Sequence, residues 1–142
     1  MGSTISSLLC FKKRHAAVIA GLLLILVPVS ARAADGEPPP SKIPASQVLE
    51  SIANACNERR YTDVDELLYP TLRETWVQIG YAVKDYCDGL THDGTLQQVR
   101  IDKEEEVGTY TAVYVTYIFR DGSEQIDRAA FLRDKGFWKL AG

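Results

Sequence analysis

The stretch TYTAVYVTYIFRDGSEQIDRAAFL, residues 109–132, holds two strands and the turn between them. Thr109 to Phe119 is dense in Tyr, Val and Thr, residues that suit a pleated, half-buried surface. Asp121-Gly122 predicts a two-residue hairpin turn. Glu124 to Leu132 is then the returning strand. With that turn Arg120 faces Ser123, Phe119 faces Glu124, and the two faces of the hairpin follow. One face carries Val113, Val115, Tyr117 and Phe119 with Ile126, Arg128, Ala130 and Leu132. The other carries Tyr110, Ala112, Tyr114, Thr116 and Ile118 with Gln125, Asp127, Ala129 and Phe131. The first is the more apolar and is expected to face the helices.

Downstream, Asp134-Lys135-Gly136 is a second turn and Phe137 to Leu140 a last strand. A three-residue turn there puts Trp138 and Leu140 on the helix face; a two-residue turn reverses them, because side chains alternate with period two. Upstream, Val99 and Ile101 alternate with Arg100 and Asp102 in a first strand, and Glu104-Glu105-Glu106 before Gly108 is expected to be a solvated loop. Before Gly94 the period is helical. Val48, Leu49, Ile52, Ala53 and Cys56 share one helix face. A short helix starts around Thr62, Asp63 and Asp65 and is ended by Pro70. A third is expected from Thr71 to Cys87, with Leu72, Trp76, Ile79, Val83 and Tyr86 as its apolar stripe. Helices first and an antiparallel meander second define an α+β domain: three N-terminal helices packed on a four-stranded antiparallel sheet.

The N-terminus has the layout of a secretory signal peptide over residues 1–33. Lys12, Lys13 and Arg14 precede an apolar run from Ala16 to Val29, and Ala31-Arg32-Ala33 supplies a cleavage site. The run falls short of the roughly 20 residues that span a bilayer, so the membrane is expected as a partner only before cleavage. A competing reading, acylation at Gly2 and Cys10, leaves the apolar run and the cleavage site unexplained. Residues 34–45 form a linker around Pro38-Pro39-Pro40, and residues 46–142 form the domain. The expected location is outside the cytoplasm, either periplasmic or secreted.

Cleavage removes four of the 16 basic side chains and none of the 19 acidic ones. The remaining 12 against 19 give a net charge near −7, which disfavours nucleic acid as a partner. Cys56 and Cys87 survive cleavage; an even count in an exported chain favours a disulfide over two buried thiols. No Cys-x-x-Cys, phosphate loop or nucleophile elbow is present. His92 is the one histidine left, in a turn between Gly89 and Gly94, so no cofactor and no histidine- or cysteine-based metal site is expected. His92-Asp93 is expected to be a loop and not a dyad.

The order of three helices and a curved sheet resembles the nuclear-transport-factor-2-like superfamily, also described as cystatin-like or ketosteroid-isomerase-like. Ala45–Tyr61, Asp63–Leu68, Phe119-Arg120-Asp121-Gly122 and Lys135-Gly136-Phe137-Trp138-Lys139-Leu140 carry the resemblance, which is closest to small exported bacterial members of unknown function. It implies a cone-like sheet around an apolar pocket, with Trp76, Val83, Tyr117, Arg128 and Trp138 as candidate lining. It also implies pairing of sheets back to back, so Tyr110, Tyr114, Ile118, Ala129 and Phe131 become a candidate homodimer face. Arg128 is either an anchor for an anionic ligand or an ordinary ion-paired or snorkelling side chain. An isomerase-like enzyme would need a carboxylate in the pocket; Asp127 with a Tyr donor such as Tyr114 is the candidate, but the expected register puts Asp127 outside. The leading expectation is therefore a non-catalytic binding or protein-interaction module for a small apolar or anionic ligand. A pocket enzyme of isomerase or dehydratase type is the alternative.

Overall fold

A computed structural model describes residues 40–142. The expected signal segment, and the expected linker up to residue 39, lie outside the described residues. Four helices come first: α1 (Ala45–Asn57), α2 (Tyr61–Glu66), α3 (Pro70–Ile79) and α4 (Val83–Thr91). A four-stranded antiparallel open sheet follows in simple order: β1 (Leu96–Val107), β2 (Tyr110–Phe119), β3 (Glu124–Asp134) and β4 (Phe137–Leu140).

The expected third helix is two helices. Gly80 breaks it in the left-handed conformation (φ 72°), where a residue without Cβ has no steric penalty. The Tyr81 N–H reaches back to the Trp76 carbonyl at 2.9 Å and the Gly80 N–H to that of Val77 at 3.2 Å, satisfying the end of α3. Asp85 then accepts the Ala82 N–H at 3.2 Å, and α4 begins. The break takes Ile79 off the stripe, leaving it 69% exposed, while Leu72, Trp76, Val83 and Tyr86 pack at the rim of the core. No residue of α3 is fully buried. Its anchor is Trp76, whose ring lies 5.1 Å from both Tyr81 and Tyr86.

The acidic run is not a loop. It continues β1, and Val107 pairs with Tyr110 across a two-residue turn in which Gly108 alone takes positive φ (63°). Glu104 also caps α1: its carboxylate accepts the N–H groups of Ala45 and Ser46 at 3.2 and 3.1 Å. Pro44 precedes α1 and has no side chain for that task, so a distant strand supplies the negative charge at the helix N-terminus.

The hairpin register differs from expectation by one residue, for a reason visible in the backbone. A two-residue Asp-Gly turn would need positive φ at both residues. Only Gly122 has it, at 83°. The loop is therefore Arg120-Asp121-Gly122, closed by the Phe119 N–H on the Ser123 carbonyl at 3.0 Å. Ile118 pairs with Glu124, Thr116 with Ile126, Tyr114 with Arg128 and Val113 with Ala129. The β2 assignment stands: Val113, Val115, Tyr117 and Phe119 are buried in the core cluster. The β3 assignment reverses, so Gln125, Asp127, Ala129 and Phe131 share the helix side and Ile126, Arg128, Ala130 and Leu132 the outer side.

The next turn is shorter than the three-residue alternative, since Lys135 and Gly136 both have positive φ (50° and 84°) and Asp134 pairs with Phe137. Two reversals cancel, and Trp138 and Leu140 lie on the helix side after all, opposite Arg133 and Phe131. The free edge of β4 is covered: Leu140 donates to the Leu67 carbonyl and accepts from the Tyr69 N–H, at 2.8 and 2.7 Å.

The core lies between the sheet and α1, α2 and α4. Leu49, Ile52, Val64, Leu68, Tyr117, Phe119 and Phe131 are its largest fully buried apolar side chains. Cys56 of α1 and Cys87 of α4 are bonded through sulfur, with Cα atoms 4.8 Å apart.

Candidate functional site

A hollow of about 270 Å³ opens between α3, α4 and the helix side of β2 and β3. Leu72 and Trp76 come from α3, Tyr86 from α4, Tyr117 from β2, and Asp127 and Ala129 from β3. Alternation along β3 aims Asp127 and Ala129 inward, and the three-residue turn sets that alternation. Among the described residues no Lys or Arg lies within ion-pair distance of Asp127. Its hydrogen bond is local: Oδ1 accepts the backbone N–H of Arg128 at 2.7 Å.

The two phenols beside the carboxylate stay protonated well into the alkaline range. Burial pushes the Tyr86 hydroxyl up first, and Tyr117, Asp127 and Tyr81 add to it. Burial likewise raises Tyr117, with Asp127 as the second cause. At neutral pH the hollow therefore presents neutral hydroxyls, aromatic surface and the Asp127 carboxylate, with Arg128 and the terminal Gly142 completing its lining.

The five residues expected to share a pocket are separated. Trp76 and Tyr117 line this hollow. Arg128 contributes only from the rim: its guanidinium lies on the outer face, donating to the Tyr110 hydroxyl at 2.8 Å and lying over the rings of Tyr110 and Tyr114. It is thus a cover for two aromatic rings and not an inward anchor for an anion. Val83 lines a smaller hollow of about 170 Å³ behind Trp76, with Val77 and Tyr81. Trp138 lines a groove of about 200 Å³ between α1 and β4, where the Arg133 guanidinium stacks on it at 4.0 Å.

The expected dimer face divides too. Tyr110, Tyr114 and Ile118 lie outside, but Ala129 and Phe131 are buried on the helix side, Phe131 completely. Ile126 takes their place outside, 79% exposed. Around these residues the outer face is polar: Thr116 donates to Asp102 at 2.6 Å and accepts from Arg100 at 3.1 Å. Those two partners hold the Asp102 carboxyl below its ordinary range, Thr116 first.

His92 ends α4 in the left-handed conformation (φ 47°), stacks on Phe119 at 3.7 Å and meets Gln125 at 3.0 Å through Nε2. It is a packed corner, and no hydrogen bond joins it to the Asp93 side chain. Among the described residues no three His, Cys, Asp or Glu side chains converge as a metal site would require. No described helix is long and apolar enough to cross a membrane.

A two-residue turn at Asp121-Gly122 would put Asp127 outside; the three-residue loop turns it inward. Tyr86 was legible on the apolar stripe, but nothing in that stripe said it would meet β3.

No family model matches the chain, and no curated protein matches it. Among solved structures, a SEC-C motif containing protein from Rhodopseudomonas palustris, determined in solution, is similar with a TM-score of 0.52. The likeness covers 81% of this chain and 84% of that one at 18% identity, so it concerns the fold alone. It corrects the expected membership of the nuclear-transport-factor-2-like superfamily: the fold is similar to that of this SEC-C motif containing protein. The expectation rested on element order and on strand endings, which many α+β domains share.

Proposed function

We propose that the chain is an exported, non-catalytic binding module whose site is the hollow beside Asp127. The observation that carries this is an inward carboxylate with no cationic partner among the described residues, set among Trp76, Tyr86 and Tyr117. Apolar walls with few convergent polar groups are the usual form of a small-molecule site. Export is supported by the Cys56–Cys87 bond, since such bonds persist in oxidising compartments. The test is titration of the nitrogen-labelled protein with a library of amines, acids and neutral apolar compounds. Binders are expected to shift amides around Tyr86, Tyr117 and Ala129 and to be recovered unchanged. Shifts confined to other surfaces, or none, would contradict the reading.

A pocket enzyme of isomerase or dehydratase type is the second reading, favoured by the placement of Asp127 beside two protonated phenols. Asp127 is exposed to water, however, whereas the carboxylate of such an enzyme sits inside its pocket. Chemical change in a recovered binder would favour this reading.

The partner we propose is a second copy, paired through Tyr110, Tyr114, Ile118 and Ile126 on the outer face. The charges there are mixed, with Arg100 and Lys103 beside Asp102 and Glu105, so the face is compatible with itself. Sedimentation should show a dimer that Tyr114→Glu splits without unfolding the domain. A monomer at high concentration would refute the pairing.

A further inference from the structure

We propose that the hollow selects organic ammonium ions, with a methylated or primary amine head held between Asp127 and the rings of Trp76, Tyr86 and Tyr117. This rests on reading the hollow as a small-molecule site and adds the charge class of the ligand. Four observations converge on a cation. The Asp127 carboxylate lines the hollow, as Arg128 and Gly142 also do, and its one hydrogen bond is from the Arg128 backbone N–H. The guanidinium next in sequence, that of Arg128, is held on the opposite face by Tyr110. Arg73, on α3, is engaged with Asp65 at 3.2 Å and does not line the hollow. The phenols of Tyr86 and Tyr117 remain neutral, so their ring faces present negative quadrupoles beside the carboxylate.

The alternatives fit less well. An anion would meet Asp127, while the Arg128 guanidinium at the rim is turned to the Tyr110 hydroxyl on the outer face. A hard metal ion takes about six or more oxygen ligands, and one carboxylate does not supply them. A neutral apolar ligand would fill the space but strip water from Asp127 without compensation. An alkylammonium head satisfies both parts of the site, because its charge is spread over methyl or methylene groups that pack on aromatic rings. The volume, about 270 Å³, is many times the roughly 15 Å³ that one water needs.

Choline and its uncharged carbon isostere dimethylbutanol separate charge from shape. In titrations of the purified protein, choline should quench or shift the Trp76 indole and move the amides of Tyr117 and Asp127. Dimethylbutanol should bind about tenfold more weakly, the combined scale of an exposed cation–π contact and an exposed ion pair. Asp127→Asn keeps the shape and removes the charge. It should abolish the preference for choline while the melting temperature stays close to that of the unmodified protein, because Asp127 is exposed. Equal binding of the two probes, or tighter binding of the neutral one, overturns the ammonium assignment and leaves the hollow a ligand site. So does a library in which only acids or neutral compounds reach the hollow. A hollow that takes no small molecule of any charge defeats the parent reading along with this one.

Discussion

Replacing Phe131 by Ala should cost about 3–5 kcal/mol, while Ile126→Ala on the same strand should change stability by no more than about 0.5 kcal/mol. The two side chains differ in face. Phe131 is fully buried against the helices and pairs with Thr111 and Leu140, whereas Ile126 is 79% exposed on the outer side. Removing the ring leaves a cavity in the sheet–helix core; in the monomer, to which the comparison applies, removing the isoleucine side chain leaves water where there was water. In a domain whose total stability is about 5–15 kcal/mol, the first change can unfold a large fraction of the molecules. Phe131→Leu, which retains most of the volume, supplies a milder variant that stays measurable. Urea unfolding curves give both values. A β3 strand in the opposite register would exchange the two effects.

Loss of the Cys56–Cys87 bond is the second large effect. The bond closes a sequence separation of 31 residues and ties α1 to α4 across the core. In the chain-entropy description such a loop restricts the unfolded chain by about 3–4 kcal/mol. For a domain of this size the double Cys56→Ala, Cys87→Ala variant should melt about 15–25 °C lower than the oxidised protein. Thiol counting on the oxidised protein should find neither cysteine free. An unchanged melting temperature in strong reductant, with both thiols then titrating, would show that the bond does not contribute. The loss also bears on the hollow, because Cys87 follows Tyr86 directly in α4. A frayed α4 would take one aromatic wall with it.

The legible parts of the fold were those in which local chemistry and long-range packing agree. α1 has its apolar residues on one face and is buried along that face. β2 is β-branched or aromatic at every position but Ala112 and is an inner strand of the sheet. The break at Gly80 was hidden because the apolar spacing continues through it, and a left-handed glycine can end a helix without any change of pattern. The Glu104 cap was invisible because its partners, Ala45 and Ser46, lie almost sixty residues away in sequence. The candidate site suffered most from a small ambiguity. Asp121-Gly122 serves either a two-residue turn or the end of a three-residue one, and the difference is the φ of Asp121. That single dihedral decides whether Asp127 or Arg128 faces the helices, and with it whether the hollow is acidic or basic. An anionic ligand at Arg128, one of the two readings of that residue, and the cationic one argued from Asp127 are the two outcomes of one turn.

Side-chain NOEs from Asp127 and Arg128 test that point most directly. Contacts are expected from the Asp127 β-protons to the ring protons of Tyr86 and Tyr117, and from the Arg128 δ-protons to the rings of Tyr110 and Tyr114. Contacts from Arg128 to Tyr117, with Asp127 instead near Thr116 or Tyr114, would contradict both the register and the acidic hollow built on it.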